Sequence, residues 1–310
     1  MATTGSKQVS YPFLRYHDAR ADERASGGGR VAWPRKSHER RVEAFYSIGA
    51  TRFGDCHGGY LNFGLWEDGC DYLRAAENMV RHLASWGSVD DRSRLLDVGC
   101  GFGTQDVYLA RNFRPHAIVG VDIPWPHVLA ARARAREAGL GLEVHFEHGN
   151  ATDLSVFPAG SFTHVLGLES IVHFDTRERF FREAARVLAP GGTLLLADYA
   201  LRRPPRGRLD RLLVSLVRRC WQVPVGNIGT VESYRCKVEA AGFCEVEIES
   251  VGDRTIPGYF REQCSRGHRR ALHAIRGRSA LWLGLAMDFL VHNSWARGQL
   301  DYILVRARKR

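Results

Sequence analysis

One stretch constrains this 310-residue chain more than any other: Leu95–Leu96–Asp97–Val98–Gly99–Cys100–Gly101–Phe102–Gly103–Thr104–Gln105. An apolar run of strand type delivers three alternate glycines to the start of a helix. Without Cβ atoms, the backbone there can turn sharply and come close to a ligand. The helix start adds free N–H groups suited to a carboxylate or phosphate. Asp122 ends the next apolar run, 19 positions after Gly103, well placed to accept from ribose hydroxyls. A dinucleotide-binding turn would read G-x-G-x-x-G. Here Thr104 stands where its third glycine would be, and the spacing is G-x-G-x-G.

The elements around this turn alternate. The pattern predicts strands at 94–98, 117–121, 142–147, 162–168 and 193–197, with helices over 104–112, 126–138 and 176–188. Such βαβ alternation predicts an α/β fold with a doubly wound, Rossmann-like parallel sheet covered on both faces. Before it, 71–86 carries Leu73, Ala76, Val80 and Leu83 at helical spacing, and Gly87 stops the helix. After Tyr199 the alternation breaks: Leu209, Leu212, Leu213, Leu216, Val217 and Cys220 share one helical face. A helix over 231–241 and strands at 244–250 and 300–306 return to the core. The expected organisation is a polar, mobile arm (1–36), an N-terminal helical cap segment (37–90), a ligand-binding core (91–200), a cap insertion (201–228), core again (229–251), a second cap insertion (252–298) and a closing strand and tail (299–310).

Charge narrows the function. The net charge is +10, and 40 of the 44 basic residues are arginines, scattered from Arg15 to Arg310. No stripe interleaves them with aromatics as a single-strand binder would. The excess reads as a solvated, Arg-biased surface, with an anionic substrate and nucleic acid as rivals, and no nucleic-acid partner is expected. Seven cysteines without a C-x-x-C argue against a disulfide framework or structural zinc, and for a reducing cytoplasm. No His/Asp/Glu cluster has ligand spacing, so no metal is called for. The first 45 residues lack a signal-peptide run, and the apolar stretch 280–291 is too short for a span and is broken by Asp288.

The glycine turn, with Asp97 two residues before it, resembles motif I of class I S-adenosylmethionine (SAM)-dependent methyltransferases. Val121–Asp122–Ile123 resembles that family's second motif, in which the acid holds the ribose and the next residue packs on adenine. Gly149–Asn150–Ala151–Thr152–Asp153–Leu154 resembles the Gly-Asp-Ala segment flanking adenine, with Asn150 in place of the usual Asp. Val187–Leu188–Ala189–Pro190–Gly191–Gly192–Thr193 resembles the turn before strand five. The resemblance covers roughly 55–200 closely, with 230–250 and 299–308 matching the tail of the fold. It implies SAM as cofactor, held by Asp97, Gly99, Gly101, Gly103, Gln105, Asp122, Ile123, Asn150, Ala151, Leu168 and Tyr60.

Gly58–Trp66 is similar to an aromatic segment that closes over SAM in enzymes acting on natural products and lipid-like acceptors. The set looks like macrolide-sugar O-methyltransferases, with tocopherol, sterol and prenyl C-methyltransferases as relatives. That implies a small, partly apolar acceptor; a homo-oligomer stays open. A hydroxyl acceptor needs its proton removed, and His173, just beyond the predicted fourth strand, is the expected base. Glu169 is the second candidate catalytic group: it could meet the SAM ammonium or ribose, or act as a base of raised pKa. O-methylation with His173 is the leading expectation. Carbon methylation of a prenyl or terpenoid double bond through Glu169, or SAM binding without transfer, as in some cyclases, are the alternatives.

Overall fold

The apolar runs pair into a single sheet of seven strands in the computed structural model, which describes residues 34, 37–47 and 57–310, apart from the side chains of 275–281 and 283. The expected arm, apart from residue 34, and 48–56 of the first cap segment lie outside the described residues. The strands are β1 (Arg94–Val98), β2 (Ala117–Asp122), β3 (Val144–His148), β4 (Phe162–Leu168), β5 (Leu188–Leu201), β6 (Phe243–Ser250) and β7 (Leu300–Lys309). They are ordered β3-β2-β1-β4-β5-β7-β6. The first five are parallel, while β7 runs antiparallel between β5 and β6. The order reverses between β1 and β4, and there the carboxyl ends of the strands open a crevice.

Helices alternate with the parallel strands as the periodicity predicts. In chain order they are α1 (His38–Ser47), α2 (Tyr72–Trp86), α3 (Thr104–Asn112), α4 (Trp125–Glu137), α5 (Arg177–Val187), α6 (Gly207–Cys220), α7 (Val231–Ala240), α8 (Gly252–Cys264) and α9 (Arg266–Ala296). Asp71 caps α2 by accepting from Arg74 N, and Thr230 caps α7 from Ser233 N. The core lies between sheet and helices, where Leu96, Val165, Leu194, Leu196, Phe180, Phe181 and Ile303 are fully buried.

Three expectations need correction. Strand β5 spans Leu188–Leu201, not only 193–197: the turn-like Pro190–Gly191–Gly192 is taken up by a register shift against β4, and pairing with β7 continues to Leu201. Strand β3 begins at Val144, not at Leu142: Glu143 N and Val144 N both donate to the Leu140 carbonyl in a turn that leaves Leu142 87% exposed. Leu73 is an exposed residue of α2, whose buried face is instead Tyr72, Ala75, Ala76, Met79, Val80 and Leu83. The apolar face predicted for α6 is only partly covered, since Leu209 and Leu212 remain 54% and 55% exposed.

Candidate active site

All three glycines of the turn take left-handed φ, 72° at Gly99, 57° at Gly101 and 70° at Gly103, a region that side chains disfavour. What surrounds them differs. A Cβ on Gly99 would stand 2.1 Å from Ser170 Cβ, and one on Gly103 would stand 2.6 Å from Phe146 Cζ and 2.8 Å from Ala131 Cβ. Those two glycines therefore let β1 approach the end of β4, and α3 approach β3 and α4. A Cβ on Gly101 would meet only Leu61, at 3.1 Å. Gly101 is the glycine whose missing side chain leaves room for something else, under the segment that the sequence reading placed over the cofactor.

Asp122 closes the other side of that room. Its Oδ2 accepts from Gly101 N and from His127 Nδ1, both at 3.0 Å, and its Oδ1 accepts from Ile123 N at 2.8 Å. Ile123 is buried beside it. His127 stands five residues on, in the first turn of α4, and its ring lies 4.4 Å from that of Phe102. The sequence reading missed His127, although its offset from Asp122, one helical turn past a strand end, was a usable signal.

Asp97 and Gln105, expected separately at the cofactor, bond to each other: Gln105 Nε2 donates to Asp97 Oδ2 at 2.5 Å. Asp106 packs against the same carboxyl. Burial pushes Asp97 up to about 7, and burial with the repulsion of Asp97 holds Asp106 well above the carboxylate range. The pair therefore carries less than two full charges near neutral pH. Asp97 Oδ1 is buried with no hydrogen-bond partner among the described residues, an acceptor open to an ammonium or hydroxyl donor. Asn150 uses its side chain within the fold, with Oδ1 accepting from Thr152 N (2.9 Å) and Nδ2 donating to Glu39 of α1 (3.1 Å). Ala151, Leu168 and Tyr60 are buried.

Glu169 lies one residue past β4 with φ of 57°. Its Oε1 accepts from Phe63 N and from Tyr302 Oη (2.7 Å), and its Oε2 accepts from Tyr199 Oη (2.7 Å). Burial pushes the carboxyl up to about 7 against these three donors. Aromatic rings enclose it: Phe63 stacks on Tyr259 at 3.9 Å and meets Tyr199 edge-on at 5.5 Å, with Trp221 at 6.1 Å. Tyr199 and Tyr302 come from β5 and β7, cross-strand partners that the sequence reading did not link to Glu169.

His173 is buried in a short 3-10 turn after β4. Its Nε2 is 2.7 Å from Tyr46 Oη, and its carbonyl accepts from His38 Nε2 at 2.6 Å, so α1 docks on it from the amino-terminal side. Burial, aided by His38, lowers its pKa to about 4, so the imidazole is neutral at pH 7. Burial, with the negative charges of Glu169 and Asp122, raises the pKa of Tyr46. The phenol stands against His173, with its ring 6.0 Å from that of His127.

Comparison with known proteins decides the family. A methyltransferase domain matches residues 96–196. Erythromycin 3''-O-methyltransferase of Saccharopolyspora erythraea is 31% identical over 294 residues, covering 89% of this chain and 92% of that protein. The chain belongs to the class I SAM-dependent methyltransferases. The 27-O-demethylrifamycin SV methyltransferase of Amycolatopsis mediterranei is also 31% identical, over 85% of this methyltransferase and 95% of that one. Among solved structures, the [4+2]-cyclase SpnF is similar at a TM-score of 0.73 and 26% identity, covering 90% of this chain and 99% of its own. The geranyl diphosphate C-methyltransferase of Streptomyces coelicolor shares the fold at a TM-score of 0.69 and 18% identity, over 90% and 100% of the two chains. This methyltransferase uses SAM, and the residues present fit it: Gly101 leaves an open cradle, Asp122 offers acceptors, and Asp97 Oδ1 is an unpaired one. No helix among the described residues is long and apolar enough to cross a membrane.

Proposed function

We propose that this enzyme methylates a hydroxyl of a partly apolar secondary metabolite, with His173 as the proton acceptor. The observation that carries the reading is the Tyr46 Oη–His173 Nε2 bond of 2.7 Å in the turn that follows β4 at the carboxyl edge of the sheet. Bound SAM supplies an electrophilic methyl group. In this reading Gly101 and Ile123 shape its place, Asp122 accepts from the ribose, and Asp97 accepts from the ammonium. Asn150 and Ala151 border the adenine, and Leu168 and Tyr60 wall the methionyl part. Displacement at a sulfonium is largely a matter of alignment, which a site built on strand ends supplies.

The acceptor oxygen gains the methyl and loses its proton, which passes through Tyr46 Oη onto His173 Nε2. The low pKa of His173 keeps the imidazole neutral at pH 7; in the tautomer protonated on Nδ1, Nε2 accepts from Tyr46 and can receive the proton, at the cost of being a weaker base. His173→Ala should lower kcat by roughly 10²–10⁴-fold and leave SAM affinity within a few-fold. A His173→Ala enzyme within three-fold of wild type on its acceptor would sink the mechanism.

One observation favours a second reading. The rings around Glu169 could stabilise a carbocation through their faces while the carboxylate takes its proton. That arrangement suits carbon methylation, or a cyclisation with SAM bound and unspent. Product analysis separates the cases: an ether methyl yields to ether cleavage, a carbon-bound methyl does not, and a cyclase releases no S-adenosylhomocysteine.

A further inference from the structure

Helix α6 turns one face to the carboxyl end of β5, where Val214 and Val217 share a cavity wall with Tyr199 and Leu201, and Asp210 is buried. Its other face carries Leu209, Leu212 and Leu216, all exposed. Spaced three and four residues apart, they form one row along the helix. The neighbouring α9, which packs on α6, leaves Trp282 and Phe289 exposed two turns apart. A contiguous apolar row open to water marks an interaction surface.

The rim of the leucine row is basic. Arg206, Arg208, Arg211 and Arg219 are exposed, and none forms an ion pair with a described residue. The one acid between Pro204 and Thr230 is Asp210. It is already engaged, accepting from Arg203 Nη1 at 2.8 Å and from Arg206 N at 2.9 Å.

Charge decides what covers this face. A second copy would set α6 against α6 in a two-fold contact, arginines facing arginines with no acid to relieve them. Residues 1–36 carry seven Lys and Arg against three Asp and Glu, so they are no complement either. An anionic bilayer matches both components: leucines enter the acyl boundary while guanidinium groups meet phosphates at the headgroup level. The 14 residues of α6 extend about 21 Å, too short to span a bilayer core of about 30 Å.

We propose that α6 docks this enzyme on anionic membrane surfaces, lying in the plane of the interface with Leu209, Leu212 and Leu216 inserted and Arg206, Arg208, Arg211 and Arg219 on the lipid phosphates. The helix leads at its end to Trp221, whose ring lies 6.1 Å from that of Phe63 in the enclosure of Glu169. Docking therefore sets the aromatic site close to the bilayer. It does not depend on which molecule is methylated.

The test is flotation of the full chain, at low salt, with vesicles of phosphatidylcholine alone or mixed equally with phosphatidylglycerol. Wild type should partition onto the mixed vesicles at least ten-fold more than onto phosphatidylcholine. Leu209→Ser/Leu212→Ser/Leu216→Ser should lower that partitioning at least ten-fold, with a Tm equal to or above that of wild type. Arg206→Gln/Arg208→Gln/Arg211→Gln/Arg219→Gln should lower it as far. The charge control is Arg92→Gln/Arg114→Gln/Arg308→Gln/Arg310→Gln, which removes four exposed arginines from the opposite, amino edge of the parallel strands. It should stay within three-fold of wild type. Docking by α6 is wrong if wild type ignores the mixed vesicles, if either α6 variant binds them as wild type does, if the serine variant melts well below wild type, or if the control loses as much as the α6 variants. Sedimentation velocity without lipid should show no self-association through α6; a wild-type dimer that the serine variant dissociates would give this face to a second copy and overturn the membrane assignment.

Discussion

Replacing Gly101 with alanine tests the division of labour among the three glycines. The new Cβ meets only Leu61, at 3.1 Å, the far end of a flexible side chain. The protein's own loss is then mainly the left-handed backbone at φ 57°, about 1–2 kcal/mol for an L-residue. In a protein of this size that is a fall in Tm of roughly 1.5–3 °C. SAM should suffer more. Crowding a fitted space by a methyl costs about 1–3 kcal/mol, or roughly 5- to 150-fold in Kd, and Gly101→Val should abolish binding. Gly99→Ala is the control: its Cβ would stand 2.1 Å from Ser170 Cβ, so β1 or the end of β4 must move. It should lower Tm at least twice as far as Gly101→Ala. Thermal melts and calorimetric titration with SAM supply both readings. A folded Gly101→Ala protein with wild-type SAM affinity would refute the assignment of that space to the cofactor.

Two further outcomes follow from the acids. Asp122→Ala should weaken SAM by roughly 1.5–3 kcal/mol, the range for hydrogen bonds to a charged group, and should also lower Tm, because Gly101 N and His127 Nδ1 lose their acceptor; calorimetry and melting read both, and a SAM loss below about 0.5 kcal/mol would place the ribose elsewhere. Glu169 holds its proton up to about 7 in the fold against an ordinary value of 4.5, so between those values the native state binds more protons than the unfolded chain, and the associated stability, full below about pH 4.5, is lost as pH rises through 7. Glu169→Gln cannot ionise and should gain stability relative to wild type from pH 5 to pH 8; denaturant titrations showing a constant difference across that window would contradict it.

Local signals carried the parallel half of the fold. The runs at 94–98 and 162–168 and the helix at 104–112 stand where the periodicity put them, because buried parallel strands are nearly all apolar and glycines punctuate the turns. Strand β5 was harder. Ala189–Pro190–Gly191–Gly192 carries turn chemistry, and only its neighbours β4 and β7 make it part of a strand. The site divides in the same way. Asp97, Gly101 and Asp122 belong to one βαβ unit and could be read together, whereas Glu169 meets Tyr302 across 133 positions and His173 meets Tyr46 across 127. No local pattern ties such residues; sheet order and the docking of α1 bring them together.

Neighbours on β5 face opposite ways: Asp198 binds Arg177 and Tyr234 on one side of the sheet, while Tyr199 binds Glu169 on the other. A shift of one residue would exchange the two and leave an ion pair and an acid each facing the wrong environment. This strand therefore has no freedom to gain or lose a residue. Helix α6, which roofs the end of β5, is under no such constraint: its Asp210 and Arg218 bond only Arg203, Arg206 and Val223 close by in the chain. Descendants of this enzyme could lengthen, shorten or exchange that roof and meet new acceptors while the chemistry beneath stays in register.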